Sequence, residues 1–154
     1  SSRVAEPVSG LLTHEFEIFI SHASEDKPAI ARPLAEQLKQ ALSASGKKIW
    51  YDEWDMVAGD SLYDRIGNGL QKSRYGLVIL SPDYFRKEWA QAELKALVSM
   101  EMSRQRTSVI PIWYNVQKSD IDRDAPMLAD KIAIQFSGDI AAVTSEILRT
   151  LGSR

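Results

Sequence analysis

The chain contains no cysteine. That excludes a disulfide scaffold, thiolate metal sites and a cysteine nucleophile. Histidine is nearly as scarce. His14 and His22 are the only two, too few for the usual ligand set of a protein-only zinc site. No apolar run approaches the ~18 residues that read as a membrane span, so no span is expected. Neither sign of charge dominates. The 19 basic residues face 21 acidic ones, for a net charge of −2, which removes a strongly basic nucleic-acid binder from consideration. The opening residues lack the charged-then-apolar order of a secretory leader. A start at Ser1-Ser2 is expected to reflect a longer parent chain, with another domain N-terminal to residue 15.

What is present fits one soluble globular domain. Apolar residues make up 44% and charged residues 26% of the 154, ordinary proportions for a folded chain. A globule of this size buries roughly 70% of the surface its unfolded chain exposes, enough to fold without a metal or a disulfide. Residues 1–14 mix Pro, Gly and Ser with few apolar side chains and read as a linker or tail. The domain is expected over 15–154.

Two periods alternate through that domain. Short apolar runs predict strands at Phe16–Ile20, Ile49–Tyr51, Tyr75–Leu80, Val109–Tyr114 and Ile132–Phe136. Between them run helical stripes: Ile30, Leu34, Leu38 and Leu42, then Leu62, Ile66 and Leu70, and finally Ile140, Val143, Ile147 and Leu151. Residues 83–104 lack Gly and Pro and hold good helix formers. Residues 118–130 are the least defined, with room for a short helix. Asp26, Ser81 or Asp83, and Asp139 are placed to cap helices. Pro33 should bend the first helix or delay its start, and Pro111 predicts an edge position or a bulge.

Repeated strand–helix alternation implies parallel strands joined by right-handed crossovers. The expected fold is α/β: a doubly wound, flavodoxin-like sheet of five parallel strands with helices on both faces. In such sheets ligands bind beyond the carboxyl ends of the strands. That rule directs attention to Ser21–Asp26, Asp52–Ser61, Ser81–Tyr84 and the loop after Tyr114.

Several familiar motifs fail on inspection. Gly46-Lys47 has Ala41 where a phosphate loop needs its first Gly, and Lys48 where it needs a hydroxyl. The Asp120, Asp122 and Asp124 run lacks the Gly and Glu of a calcium loop, since Ala125 and Lys131 stand there. Gly59-Asp60-Ser61 lacks the second Gly of a nucleophile elbow. A receiver-like phosphorylation domain shares the architecture, but no Lys closely follows the fourth strand run.

Four pieces survive on the ligand edge: Phe19 to Asp26, Trp50 to Ser61, Leu80 to Phe85, and Trp89 to Leu94. Trp89 and Glu93 are one helical turn apart on one face. An aromatic ring beside a carboxylate suits a nucleoside, with the ring stacking and the acid accepting from hydroxyls. On spacing alone the plainer reading is a core Trp and a solvated Glu.

Taken together, in this order and spacing, the pieces resemble Toll/interleukin-1 receptor (TIR) domains, the bacterial kind most closely, over about residues 15–151. The resemblance implies an NAD+ glycohydrolase in which Glu93 is the essential acid. It places Ser21, His22, Ala23, Ser24, Glu25, Asp52, Trp54, Ala58, Gly59 and Trp89 around the substrate. The bond broken joins nicotinamide to ribose, through a transition state resembling an oxocarbenium ion. A carboxylate stabilises that developing charge and holds ribose hydroxyls in place. Nicotinamide leaves neutral from a cationic pyridinium, so no dedicated general acid is required. Water then gives ADP-ribose; attack by the adenine end of the same molecule gives a cyclic ADP-ribose.

The Ser24 region precedes a helix, whose N-terminus suits phosphate, although Ser24 or Asp26 could simply cap it. Asp52 ends a strand, where it could accept from a ribose hydroxyl. The loop from Trp54 to Ser61 corresponds to one that, in the family, also touches a neighbouring TIR domain. Ala58-Gly59 stands where vertebrate signalling members carry Pro-Gly, which weighs against adaptor-type receptor signalling. The resemblance thus implies NAD+ as substrate with no cofactor and no metal, other TIR domains as partners in self-association, no direct nucleic-acid partner, a cytoplasmic location and a role in bacterial immunity. The alternative is a non-catalytic TIR–TIR interaction module.

Overall fold

A computed structural model describes residues 15–51, 72–86 and 108–152. The expected helix through Leu62, Ile66 and Leu70, and nearly all of the one over 83–104, lie outside the described residues. So do Asp52, Trp54, Ala58, Gly59, Trp89 and Glu93.

The first strand, β1 (Phe16–Ser21), is buried on both faces through Ile18, Phe19 and Ile20. A strand with apolar residues in both registers needs a layer on either side. β2 (Ile49–Tyr51), β3 (Ser73–Leu80), β4 (Ser108–Tyr114) and β5 (Ile134–Phe136) complete a sheet in the order β2-β1-β3-β4-β5. Every pairing is parallel. This is the five-stranded doubly wound order expected from the sequence.

Alternate residues of the strands feed two cores. Ile18, Ile20, Leu77, Ile79, Ile110 and Ile112 face a layer made by α1 (Arg32–Ser43) and the last helix of the chain, Ile140–Gly152. The stripe Leu34, Leu38 and Leu42 is buried there. Burying a side chain of that size contributes about 1.5–3 kcal/mol relative to exposure. Phe19, Val78, Leu80 and Val109 face the other way, toward the one-turn helix α2 (Pro82–Phe85) and α3 (Lys118–Asp124). A 3-10 turn at Pro126–Leu128 adds Leu128 to that layer. The last helix is α4.

Pro33 acts as anticipated. The chain leaves β1 through a 3-10 turn (Ser24–Asp26) and a π turn (Lys27–Ala31), and α1 starts only at Arg32 with Pro33 in its first positions. There its missing N–H costs nothing. Gly46 (φ +73) follows α1 in the left-handed region, letting the Lys47 N–H reach back to the Leu42 carbonyl at 3.3 Å. Pro111 lies in the second strand from the edge, but β5 pairs with β4 only from Ile112 onward. At Pro111 the strand therefore has a partner on the β3 side alone, the local equivalent of an edge. Asp139 caps α4 by accepting from the Ala142 N–H at 3.2 Å.

Candidate functional site

Strand order reverses between β1 and β3, so their carboxyl ends open a crevice. Ser21 ends β1 opposite Val78. One arm of the crevice is the loop Ser21 to Asp26. The other runs from Leu80 through Ser81 into α2, and the chain continues from there to Trp89 and Glu93.

A chain of buried polar groups joins the two arms. The Ser21 and Tyr84 hydroxyls hydrogen-bond at 2.9 Å. The Tyr84 N–H donates to Ser81 Oγ at 3.0 Å, so Ser81 caps α2 as the sequence suggests. The Ser81 hydroxyl donates to Asp26 Oδ2. All four side chains are nearly inaccessible, with Asp26 and Ser21 only 3% exposed. Asp26 is thus not the helix cap its position suggested: its side chain makes no capping bond and turns inward to Ser81 instead. A buried carboxyl needs a partner of this kind, because desolvation without one is expensive.

Between those ends the loop residues divide. Ser24 and Glu25 are exposed and lie 3.4 Å apart through Ser24 Oγ and Glu25 Oε1. His22 is half-buried and stacks on Tyr51, with ring centroids 5.1 Å apart and planes 29° from parallel. Tyr51 is the last residue of β2, and Asp52 follows it directly in the chain. Ala23 is buried in the core formed with Phe19 and Leu80, so its side chain faces inward. The Ser21 hydroxyl is committed to Tyr84. Of the five loop residues expected around a ligand, His22, Ser24 and Glu25 therefore offer side chains, while Ser21 and Ala23 shape the loop from beneath. Asp26 makes no side-chain capping bond to the turn that follows it, and Ser24, inside the first turn, points its Oγ at Glu25.

A cavity of about 410 Å³ lies farther along the same edge, lined by Pro82, Phe85, Arg86, Asn115, Arg123 and Asp124 among others. Its guanidiniums are already paired, Arg86 with Asp83 at 3.1 Å and Arg123 with Asp124 at 2.7 Å and Asp120 at 3.2 Å. The hydrogen bond and charge of Asp124, then those of Asp120, hold Arg123 above its ordinary range, so it stays cationic. A second cavity, about 420 Å³, sits between α1 and β2, lined by Phe16, Lys39, Lys47, Ile49 and Tyr51 among others. It extends from Phe16 at the amino end of β1 to Tyr51 at the carboxyl end of β2. Among the described residues no group of three or more His, Asp or Glu could hold a metal, and no helix is long and apolar enough to cross a membrane.

The sequence put Ser81 and Asp26 in ligand-edge segments and gave them cap roles, but it did not connect Asp26 with Ser81 or Tyr84 with Ser21. The available signal was topological: hydroxyls and a carboxyl at the ends of the two strands that flank the switch point.

Known proteins share this fold and much of this sequence. The TIR domain family matches residues 18–150, and the chain belongs to it. Among curated relatives, the 2' cyclic ADP-D-ribose synthase AbTIR of Acinetobacter baumannii is 46% identical over 123 residues, 80% of this chain and 44% of that protein. The NAD(+) hydrolase TcpA of a Theionarchaea archaeon is 40% identical over 137 residues, 89% of this chain and 40% of that protein. The chain thus spans less than half the length of these relatives. Among solved structures, the TIR domains of the activated Roq1 resistosome recognising the pathogen effector XopQ superpose with a TM-score of 0.63 at 18% identity, covering 88% of this chain and 99% of that one. The TIR domain heterodimer of RPS4 and RRS1 gives 0.57 at 15% identity, covering 89% and 96%. At such identities the likeness shows the fold alone.

Proposed function

We propose that this TIR domain cleaves NAD+ at the nicotinamide–ribose bond, and that it becomes active by self-association. The observation that carries the reading is the 46% identity, over four-fifths of the chain, with a protein named as a cyclic ADP-ribose synthase. The loop from Ser21 to Glu25 at the topological switch point supports it.

In this reading nicotinamide departs with the electron pair of the bond to ribose C1′. Positive charge grows on the ribose, and Glu93 stabilises it while accepting from ribose hydroxyls. Trp89 stacks on the substrate and Asp52 accepts from a hydroxyl. His22, Ser24 and Glu25 border the nucleotide. Trp54, Ala58 and Gly59 belong to the loop that a neighbouring copy completes. Water attacking C1′ gives ADP-ribose and a proton; attack from within the same molecule gives a cyclic ADP-ribose, and exclusion of water favours the second. In this reading NAD+ is the substrate, and no further cofactor is invoked. The reading puts the protein in the cytoplasm, where NAD+ is available, with residues 1–14 as a linker or tail.

Concentrated wild-type and Glu93→Gln chains incubated with NAD+, followed by chromatography, test the proposal. Nicotinamide from wild type alone is the expected result, with the Glu93→Gln melting temperature nearly unchanged. The ADP-ribose and cyclic ADP-ribose peaks then identify the product. No nicotinamide from wild type, even tethered as oligomers, would favour an interaction module instead. Equal release from both would remove Glu93 from its role.

A further inference from the structure

We infer that Asp26, Ser81 and Tyr84 are positioning residues, which hold the substrate loop in register with the arm that leads to Glu93. The inference rests on the NAD+-cleaving reading and adds to it a set of residues that touch no substrate.

The loop is pinned at both ends. At its start Ser21 bonds the Tyr84 hydroxyl; at its end Asp26 accepts from Ser81. Both ties cross the crevice, joining residues 63 and 55 positions apart. Both land on the same short stretch, Ser81 to Tyr84, whose own geometry is locked by the Tyr84 N–H bond to Ser81. His22, Ala23, Ser24 and Glu25 are strung between the two anchors. Trp89 comes five residues after Tyr84 in the chain, and Glu93 four after that.

Cohesion alone does not require such a device. Close by, Ile18, Ile20, Leu77 and Ile79 hold the same two strands together with apolar side chains. Apolar contacts are non-directional. A hydrogen bond prescribes distance and angle, and a buried network in low dielectric is stiffer still. Directional ties between two arms are what a two-part site needs, since misplacing a reacting group by about 1 Å can cost ~100-fold in rate.

The test measures kcat and KM for NAD+ cleavage well below the melting temperature, on chains shown to be folded by circular dichroism. Tyr84→Phe removes a single oxygen and is the variant least prone to misfold; Asp26→Asn keeps the shape and exchanges one carboxyl oxygen for an amide group that donates. Each is expected to lower kcat about 10- to 100-fold, with KM moving by less than about threefold, as for an interaction realised in the transition state. The losses for Ser21→Ala and Tyr84→Phe should be markedly non-additive in the double variant, because both cut the same tie. Wild-type kcat in a folded Tyr84→Phe chain would overturn the inference, whatever its melting temperature. Additive losses for Ser21→Ala and Tyr84→Phe would also overturn it, since Ser21 would then act on the substrate by itself. If wild type releases no nicotinamide, the underlying reading fails and the positioning role with it. That failure differs from an active wild type with indifferent variants.

Discussion

The two sides of β1 and β3 solve one problem by different means. Toward α1 and α4, the strands meet other elements through Ile, Leu and Val, with Leu34, Leu38 and Ile147 fully buried. At the carboxyl ends the same strands meet through Ser21, Asp26, Ser81 and Tyr84. An apolar layer tolerates repacking as long as volume is kept. A chain of hydrogen bonds tolerates little, because each group left alone is a buried polar atom. The contrast separates what holds the domain together from what aligns it.

Substitutions can break or sharpen that contrast. The largest stability effect is expected in the apolar layer. Leu38→Ala should cost about 2–5 kcal/mol, read as a lower denaturant midpoint, while kcat per folded molecule stays at the wild-type value. A matching loss of kcat would show that the layer also aligns the site. Asp139→Ala removes the cap of α4, far from the crevice in the fold order, and should cost about 1 kcal/mol without touching turnover. Smallest of all is Lys118→Ala. Its pair with Asp122, 3.0 Å away, is exposed on one helix face, so the change should stay below about 0.5 kcal/mol by thermal melting. A larger drop would mean that α3 depends on its surface charges more than its buried Ile121 suggests.

Most of the fold was legible because its signals are local. Each of the five strands arises from an apolar run, and α1 and α4 from stripes at helical spacing. The misjudged boundaries have physical reasons. The last run appeared to start at Ile132, but that residue is 95% exposed, and pairing with β4 begins at Ile134. An apolar residue just outside a short edge strand looks the same in sequence as one inside it. β3 begins at Ser73, two residues before its apolar run; Ser73 pairs with Phe16 across the sheet, a partner that local pattern cannot reveal.

The site was legible in a different degree. The switch-point rule put the loop from Ser21 to Glu25 at the carboxyl edge of the sheet, where the structure has it, because strand ends can be read from local runs. What each loop residue does there could not be read. Ser21 and Ala23 look like ligand contacts in sequence, yet one is bonded to Tyr84 and the other is buried in the core. Asp26 looks like a cap because its neighbours are helical, but its partner Ser81 lies 55 positions away. Such pairings depend on how strands are ordered, and a single chain's periodicity carries no record of it.

The lengths of the strands have a consequence for how copies of this domain can meet. β3, at the centre, runs eight residues, whereas the outer strands β2 and β5 run three each. A long bare edge is a template on which another chain can add itself, with little regard for its sequence. Among the described residues that template is short at both margins. In the self-association proposed above, copies would then recognise one another through side chains on loops and helices, surfaces whose affinity single substitutions can adjust. For a domain proposed to switch on by assembling, this keeps crowding from becoming an irreversible trigger.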